Sequence, residues 1–312
     1  MNLEGKTVLV TGGAGFVGSW VVRILLDQTH STQVVVLDNF KNGRREYVPA
    51  SPRLTLHETD LTKGATVGQV VRDTRPDIVV HLAALHFIPY CNAHPAETLE
   101  VNVVGTQNLF EALRLAPPTG LVIASSAAVY PIRDEANTED SPIGPTDIYG
   151  LTKWINEKQL ELFAQQGVKT RCAAARLFNV IGPHETNPHV LPEILNQIAQ
   201  GKDSIALGNV KPKRDYIYVT DVARALLTIA ATSEHSFRVY NVGTGQEYSV
   251  EEMLEELATL SGRPLKSLVA ADRVRPSDRM HLLCDVERTR RELGWQAEHN
   301  LQSGLKALWQ SL

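Results

Sequence analysis

Thr11-Gly12-Gly13-Ala14-Gly15-Phe16-Val17-Gly18 is the stretch whose reading decides the fold. It follows a short β-branched run, Thr7-Val8-Leu9-Val10, and leads into SWVVRILLDQ (19–28), whose apolar residues recur at helical spacing. The order is therefore strand, glycine turn, helix. Gly13, Gly15 and Gly18 satisfy G-x-G-x-x-G, and Gly12, Gly15 and Gly18 also fit a three-residue spacing. Such a turn brings backbone N–H groups at a helix N-terminus against a pyrophosphate, and its last glycine lets helix and strand pack closely. A flexible loop gives the same letters, so the neighbouring sequence has to decide.

The next run, Gln33-Val34-Val35-Val36-Leu37, ends in Asp38, twenty residues beyond Gly18. A carboxylate at that place accepts hydrogen bonds from an adenosine ribose and repels a 2′-phosphate. Glycine turn and carboxylate together predict a dinucleotide site, with NAD favoured over NADP even though Arg44 and Arg45 stand nearby.

Strand and helix keep alternating. Strands are expected near Leu54-Thr55-Leu56, at Asp77-Ile78-Val79-Val80-His81-Leu82 and at Leu121-Val122-Ile123-Ala124, with helices over 64–74 and, long and amphipathic, over 95–115. This predicts an α/β fold, a doubly wound parallel sheet of the Rossmann kind with its ligands at the carboxyl ends of the strands. That rule gathers Asp60, Ala83-Ala84-Leu85-His86 and Ser125-Ser126 around one crevice. The segment 131–145, rich in Pro, Asp and Glu, reads as a surface loop. After a strand over 170–177 that closes on Phe178 and Asn179, the alternation lapses near residue 181, and helices near 190–200, 220–231 and 249–261 lie between turn-rich stretches. The expected division is an NAD-binding domain over 1–180 and a smaller C-terminal substrate-binding domain over 181–312, some segments of which return to the first.

Composition narrows the partners. With 31 Lys and Arg against 35 Asp and Glu, the net charge is -4 and no basic run carries interleaved aromatics, so nucleic acid is not expected. Cys91, Cys172 and Cys284 are widely spaced without a CxxC, which suits packed thiols in a reducing compartment. The opening MNLEGKTVLVTGG lacks the charge and apolar pattern of a leader, and no apolar run approaches the roughly 18 residues of a membrane span, so a soluble cytoplasmic protein is expected. His86, His94, His184 and His189 fall in separate elements without a pair at helical ligand spacing, so no metal is expected either.

Tyr149-Gly150-Leu151-Thr152-Lys153 carries the candidate chemistry. At a spacing of four, phenol and ammonium share one helix face. Taken alone such a pair more often marks two solvated residues. Tyrosine serves as a base near neutrality only if cationic neighbours bring its pKa from about 10 to near 7, a matter of about 4 kcal/mol, and Lys153 is one such neighbour.

With these motifs in hand, the chain resembles the extended short-chain dehydrogenase/reductase family, and within it the nucleotide-sugar epimerases typified by UDP-galactose 4-epimerase. The resemblance spans nearly the whole chain through TGGAGFVG, LDNF (37–40), HLAAL (81–85), VNVVGT (101–106), SSAAVY (125–130), YGLTK, RLFNVIGP (176–183), RDYIYVTDVA (214–223), NVGTG (241–245) and RPSD (275–278). It implies catalytic roles for Ser126, Tyr149 and Lys153. It implies cofactor contacts at Gly12, Gly15, Phe16, Val17, Asp38, Asn39, Asp60, Leu61, Leu82, Ala83, Ala84, Asn102 and Phe178, with Lys153 also holding the nicotinamide ribose. The nucleotide-diphosphate sugar falls to His86, Ser126, Asn179, Arg214, Tyr216, Arg275 and Asp278, and a two-fold dimer through the helices at 95–115 and 147–165 is implied as well.

The implied reaction oxidises a sugar hydroxyl, most simply at C4, and returns the hydride to the other face of the ring, with Tyr149 as the proton acceptor and Ser126 bonded to the same oxygen. A reductase, a decarboxylase and a 4,6-dehydratase share the scaffold, and a non-catalytic NAD sensor is the rival of another class. Dehydratases of this family carry an Asp-Glu pair after the catalytic hydroxyl residue, where this chain has Ala127 and Ala128. His86 stands where UDP-galactose 4-epimerase has a lysine, and the stretch between Gly182 and Arg214 is shorter here.

Overall fold

The computed structural model describes residues 3–167, 169–273 and 279–312. Its first half runs β1 (Thr7–Thr11), α1 (Phe16–Gln28), β2 (Gln33–Asp38), β3 (Leu54–Glu58), α2 (Gly64–Thr74), β4 (Ile78–His81), α3 (Ile88–Ala93), α4 (Pro95–Leu99), α5 (Gly105–Leu115), β5 (Gly120–Ser126), α6 (Ile148–Gln165) and β6 (Arg171–Leu177). Then follow β7 (Asn179–Ile181), α7 (Val190–Ala199), β8 (Ser204–Leu207), β9 (Lys213–Tyr218), α8 (Val219–Thr232), β10 (Phe237–Val242), β11 (Glu247–Ser249), α9 (Val250–Ser261), β12 (Lys266–Val269), α10 (Glu287–Leu293) and α11 (Leu301–Gln310).

A seven-stranded sheet in the order β10-β6-β5-β4-β1-β2-β3 forms the centre, and all its pairings are parallel. Val8, Leu9 and Val10 are wholly buried because helices cover both faces, which is why the strands read as continuous apolar runs without alternation. One face carries α1 and α8, where Val21, Val22 and Leu25 share a core with Leu226, Ile229 and Ala230. The other carries α2, α5 and α6 through Val67, Leu109, Leu113, Leu160 and Phe163. From β1 the chain moves outward to β2 and β3, then returns to β4 on the opposite side. That reversal opens a crevice at the carboxyl ends of β1 and β4.

The smaller part is built on β7, β9 and β11 with α7, α9 and α11, around Ile181, Leu191, Ile194, Tyr216, Met253 and Leu305. Two of its segments lie with the central sheet, α8 on the face and β10 at the edge. A stack of rings joins the parts. His184, at φ 76°, lies parallel to Tyr47 at 4.0 Å between ring centres and 5.3 Å from Trp20. Its Nδ1 meets Ser19 Oγ at 2.9 Å, and Trp20 Nε1 donates to the Pro183 carbonyl at 3.1 Å.

The structure corrects the sequence reading in two places. The helix expected over 95–115 is interrupted by a π turn at Glu100–Val104, which points Asn102 inward and leaves it wholly buried. The segment 131–145 is only partly a surface loop. Asn137 and Glu139 are buried because Asn241 donates Nδ2 to the Asn137 carbonyl at 2.7 Å and its N–H to Glu139 Oε1 at 2.8 Å.

Candidate active site

The glycine turn is shaped by its neighbours. Gly12 adopts φ 71°, and a Cβ there would stand 2.8 Å from the Ala83 nitrogen; one on Gly18 would stand 2.0 Å from the Gly12 carbonyl oxygen. Helix α1 can thus begin at Gly15 with its first N–H groups turned to a crevice of about 570 Å³. Asp38, at the end of β2, accepts from Ala14 N at 2.9 Å and Phe40 N at 2.8 Å. Each oxygen keeps a further lone pair for a ribose hydroxyl. Burial pushes this carboxyl above its ordinary range while the two N–H bonds hold it down. Asn39 Nδ2 donates to Asp60 Oδ2 at 3.0 Å, and Thr62 donates through N and Oγ1 to Oδ1. Burial works upward on Asp60, yet these bonds leave its pKa below the usual value. Arg45 is paired with Glu58, its Nη2 2.8 Å from that carboxylate.

Beneath the crevice floor runs a buried polar chain. Thr106 Oγ1 donates to the Asn102 carbonyl at 2.6 Å, so it accepts from His81 Nε2 at 2.9 Å, and His81 Nδ1 in turn accepts from Thr11 Oγ1 at 2.6 Å. Burial, aided by the Lys153 charge, pushes His81 down to about 3, which keeps it neutral in this role. Asn102 Oδ1 accepts from Leu85 N at 2.8 Å, and its Nδ2 donates to the Leu85 carbonyl at 2.9 Å and Thr152 Oγ1 at 3.0 Å. The loop 82–86 is thereby fastened to α6.

Helix α6 is started by Asp147, whose Oδ1 accepts from Gly150 N at 2.8 Å. One turn in, Lys153 is buried and donates to the Ala124 carbonyl at 2.8 Å, its Nζ 5.7 Å from the centre of the Tyr149 ring. Burial lowers its pKa to about 8. The phenol behaves unlike the expectation. Burial pushes Tyr149 above its ordinary value, and the hydrogen bond with Ser126 only partly offsets that. Ser126 Oγ also accepts from Ala128 N at 3.1 Å, which turns the hydroxyl at the end of β5.

Gly12, Gly15, Phe16, Val17, Asp38, Asn39, Asp60, Leu61, Leu82, Ala83, Ala84, His86, Ser126, Tyr149, Lys153, Phe178, Asn179 and Arg214 all line this crevice. Asn102 does not, since it is spent on the loop and α6. Tyr216 does not either; it lines an adjoining cavity of about 250 Å³ that shares Asn179, Glu185 and His189 with the first. Arg275 and Asp278 lie outside the described residues. Arg214 donates from Nη1 to the carbonyls of Lys213 and Arg279, at 2.8 and 2.7 Å, which draws the segment after 278 to the crevice. Lys41, Glu185 and Arg279 also line it without having been singled out in the sequence, as does His189, which the sequence raised only as a metal ligand and set aside. Of these only Arg279 had a local signal, following RPSD directly.

The sequence profile described as the NAD dependent epimerase/dehydratase family matches residues 8–243. UDP-glucose 4-epimerase of Corynebacterium glutamicum is 33% identical over 320 residues, covering 97% of this chain and 94% of that protein. The Bacillus subtilis UDP-glucose 4-epimerase is 32% identical, covering 97% and 95%. Among solved structures, Thermus thermophilus UDP-glucose 4-epimerase in complex with NAD superposes with a TM-score of 0.88 at 31% identity, covering 97% of this chain and 98% of that one. MoeE5 in complex with UDP-glucuronic acid and NAD gives a TM-score of 0.88 at 30% identity over the same shares, 97% and 98%.

Proposed function

The chain belongs to the NAD-dependent epimerase/dehydratase family, and from that premise we propose that Tyr149, Ser126 and Lys153 are its catalytic residues. It is an NAD-dependent nucleotide-sugar epimerase. The reading proposed here is inversion of C4 in a nucleotide-linked hexose or hexuronic acid by way of a 4-keto sugar. The observation that carries it is the convergence of Tyr149, Ser126 and Lys153 at the carboxyl end of β5, beside a glycine turn with room for a pyrophosphate.

The residues divide the work. Backbone N–H groups at Phe16 and Val17 would meet the pyrophosphate, Asp38 the adenosine ribose, and Lys153 the nicotinamide ribose. NAD, when bound, supplies the hydride acceptor and a positive charge near the phenol. Burial raises the Tyr149 pKa, so ionisation at Oη depends on that added charge and on a cationic Lys153. Tyr149 Oη takes the hydroxyl proton and gives it back, while Ser126 holds the same oxygen through both transfers. Asn179, Arg214 and His86 line the remaining wall for the nucleotide diphosphate and sugar, with Arg214 offering a planar fork of donors.

Elimination is disfavoured by Ala127 and Ala128, which carry no proton where a dehydratase needs two acid/base groups. A sensor of NAD would have no need of all three catalytic side chains. Among the described residues no helix is long and apolar enough to cross a membrane, and we place the enzyme in the cytoplasm. Exposed Leu99, Val104, Leu115 and Leu162 on α4 to α6 and the turn between them support a homodimer through those helices.

Incubation of the NAD-loaded protein with a panel of nucleotide sugars, read by NMR and mass spectrometry, tests the reading. The expected product has unchanged mass and leaves no NADH behind. Loss of one water would replace epimerisation with dehydration, and steady consumption of NADPH would replace it with reduction.

A further inference from the structure

We propose that His86, Glu185 and His189 form a site for a divalent first-row transition metal, zinc above all, at the wall of the crevice. Two separate segments build it, the loop after β4 and the stretch between β7 and α7, and one ligand atom from each residue lies within 4.8 Å of the others. Two imidazoles and a carboxylate make up the donor set of open zinc and non-haem metal sites.

The local bonding prepares each ligand. Asn187 Nδ2 donates to His86 Nε2 at 2.8 Å, and the Ala84 carbonyl accepts from the same ring. The ring proton therefore sits on Nδ1, and the Nε2 lone pair is held by the Asn187 amide, which an entering ion has to displace. Glu185 is almost wholly buried. Its Oε1 accepts from Asn187 N at 2.9 Å, which leaves Oε2 turned to His189 Nδ1 at 3.8 Å. A dication held among the three would bring the Glu185 carboxylate an opposite charge in a site largely closed to water. His189 is the adjustable member, with a side chain 39% exposed, stacked on Phe87 at 5.6 Å. Ligands about 2.1 Å from a tetrahedral ion stand about 3.4 Å apart, so His189 Nδ1, now 3.8 Å from Glu185 Oε2, has to draw inward on binding.

All three residues line the crevice, so the remaining coordination position opens on it. An oxygen of the bound nucleotide sugar is the ligand that position selects; this last step rests on the epimerase reading, whereas binding of the ion does not. The other histidines noted in the sequence are committed elsewhere, His184 between Trp20 and Tyr47 and His94 against Tyr90.

The test is calorimetric titration of the full-length NAD-loaded protein with zinc chloride in a non-chelating buffer, with the absorption spectrum of added cobalt(II) as a second readout. One saturable site per chain is expected, together with cobalt bands of a four-coordinate nitrogen and oxygen site. Glu185→Gln and His189→Ala should each weaken zinc binding by about 100-fold or more, with the fold checked by circular dichroism, while His94→Ala should leave it unchanged. Absence of saturable binding would overturn the proposal, as would affinity that survives both substitutions. Neither measurement involves turnover, so a failure here is separate from failure of the epimerase reading.

Discussion

The Lys153 ammonium lies 5.7 Å from the centre of the Tyr149 ring and is anchored on the Ala124 carbonyl at 2.8 Å, so the helix that bears the phenol is tied to the strand that ends in Ser126. With Tyr149 as the proton acceptor, Tyr149→Phe should lower turnover at least ~10²-fold while NAD stays bound, and Ser126→Ala should cost no more. Steady-state rates with the cofactor content measured alongside decide it; near-normal turnover in the phenylalanine variant rejects the role.

Burial of Lys153 should be visible in stability. Its pKa falls from 10.5 to about 8 on folding, so between those values the unfolded chain binds the extra proton and stability rises with pH. Below pH 8 the charged ammonium costs the fold about 3 kcal/mol, relieved as pH climbs toward 10. Urea unfolding without added NAD should therefore show wild type gaining stability over this range relative to Lys153→Met. Parallel slopes for the two proteins would mean that the ammonium is not buried in solution.

Cofactor choice should follow Asp38. Stripped protein should bind NAD more tightly than NADP, and Asp38→Asn should narrow the ratio by about 10-fold, since the amide keeps an acceptor but removes the repulsion of a 2′-phosphate. Fluorescence titration with both nucleotides measures it. Equal affinities in the wild type would assign the ribose end to Arg44 instead.

Asn102→Ala should destabilise by about 2–4 kcal/mol, because Leu85 N, the Leu85 carbonyl and Thr152 Oγ1 would lose a buried partner together. Denaturant midpoints give the cost. A change below about 1 kcal/mol would show that water replaces the side chain.

If α5 and α6 form a dimer face, Leu162→Arg should convert dimer to monomer, with light scattering at micromolar protein as the check. A wild type that is already monomeric at that concentration removes the assembly.

Much of this was legible because local rules and tertiary structure agree. The apolar runs of β1, β2, β4 and β5, the glycine turn and Asp38 each announce their element within a few residues. The π turn at 100–104 was not legible, since it is enforced by where Asn102 finds partners more than 15 residues away in sequence. Glu185 was hidden for a similar reason. The neighbouring His184 and His189 were noted, but only the fold sets Glu185 beside His86, 99 positions earlier in the chain. Tyr149 shows a subtler limit: the four-residue spacing does place it beside Lys153, but burial governs its acidity, and burial has no signature at that spacing.

The ring stack at His184 bears on how this enzyme could be recombined. The loop that carries Glu185 is clasped to α1 and to the segment after β2, so this wall of the crevice is fitted to one particular partner half. A chimera joining residues 182–312 to another Rossmann half would inherit this wall without its clasp unless Ser19, Trp20 and Tyr47 travelled with it. Modules that look separable along the chain are, at this clasp, a single inherited unit.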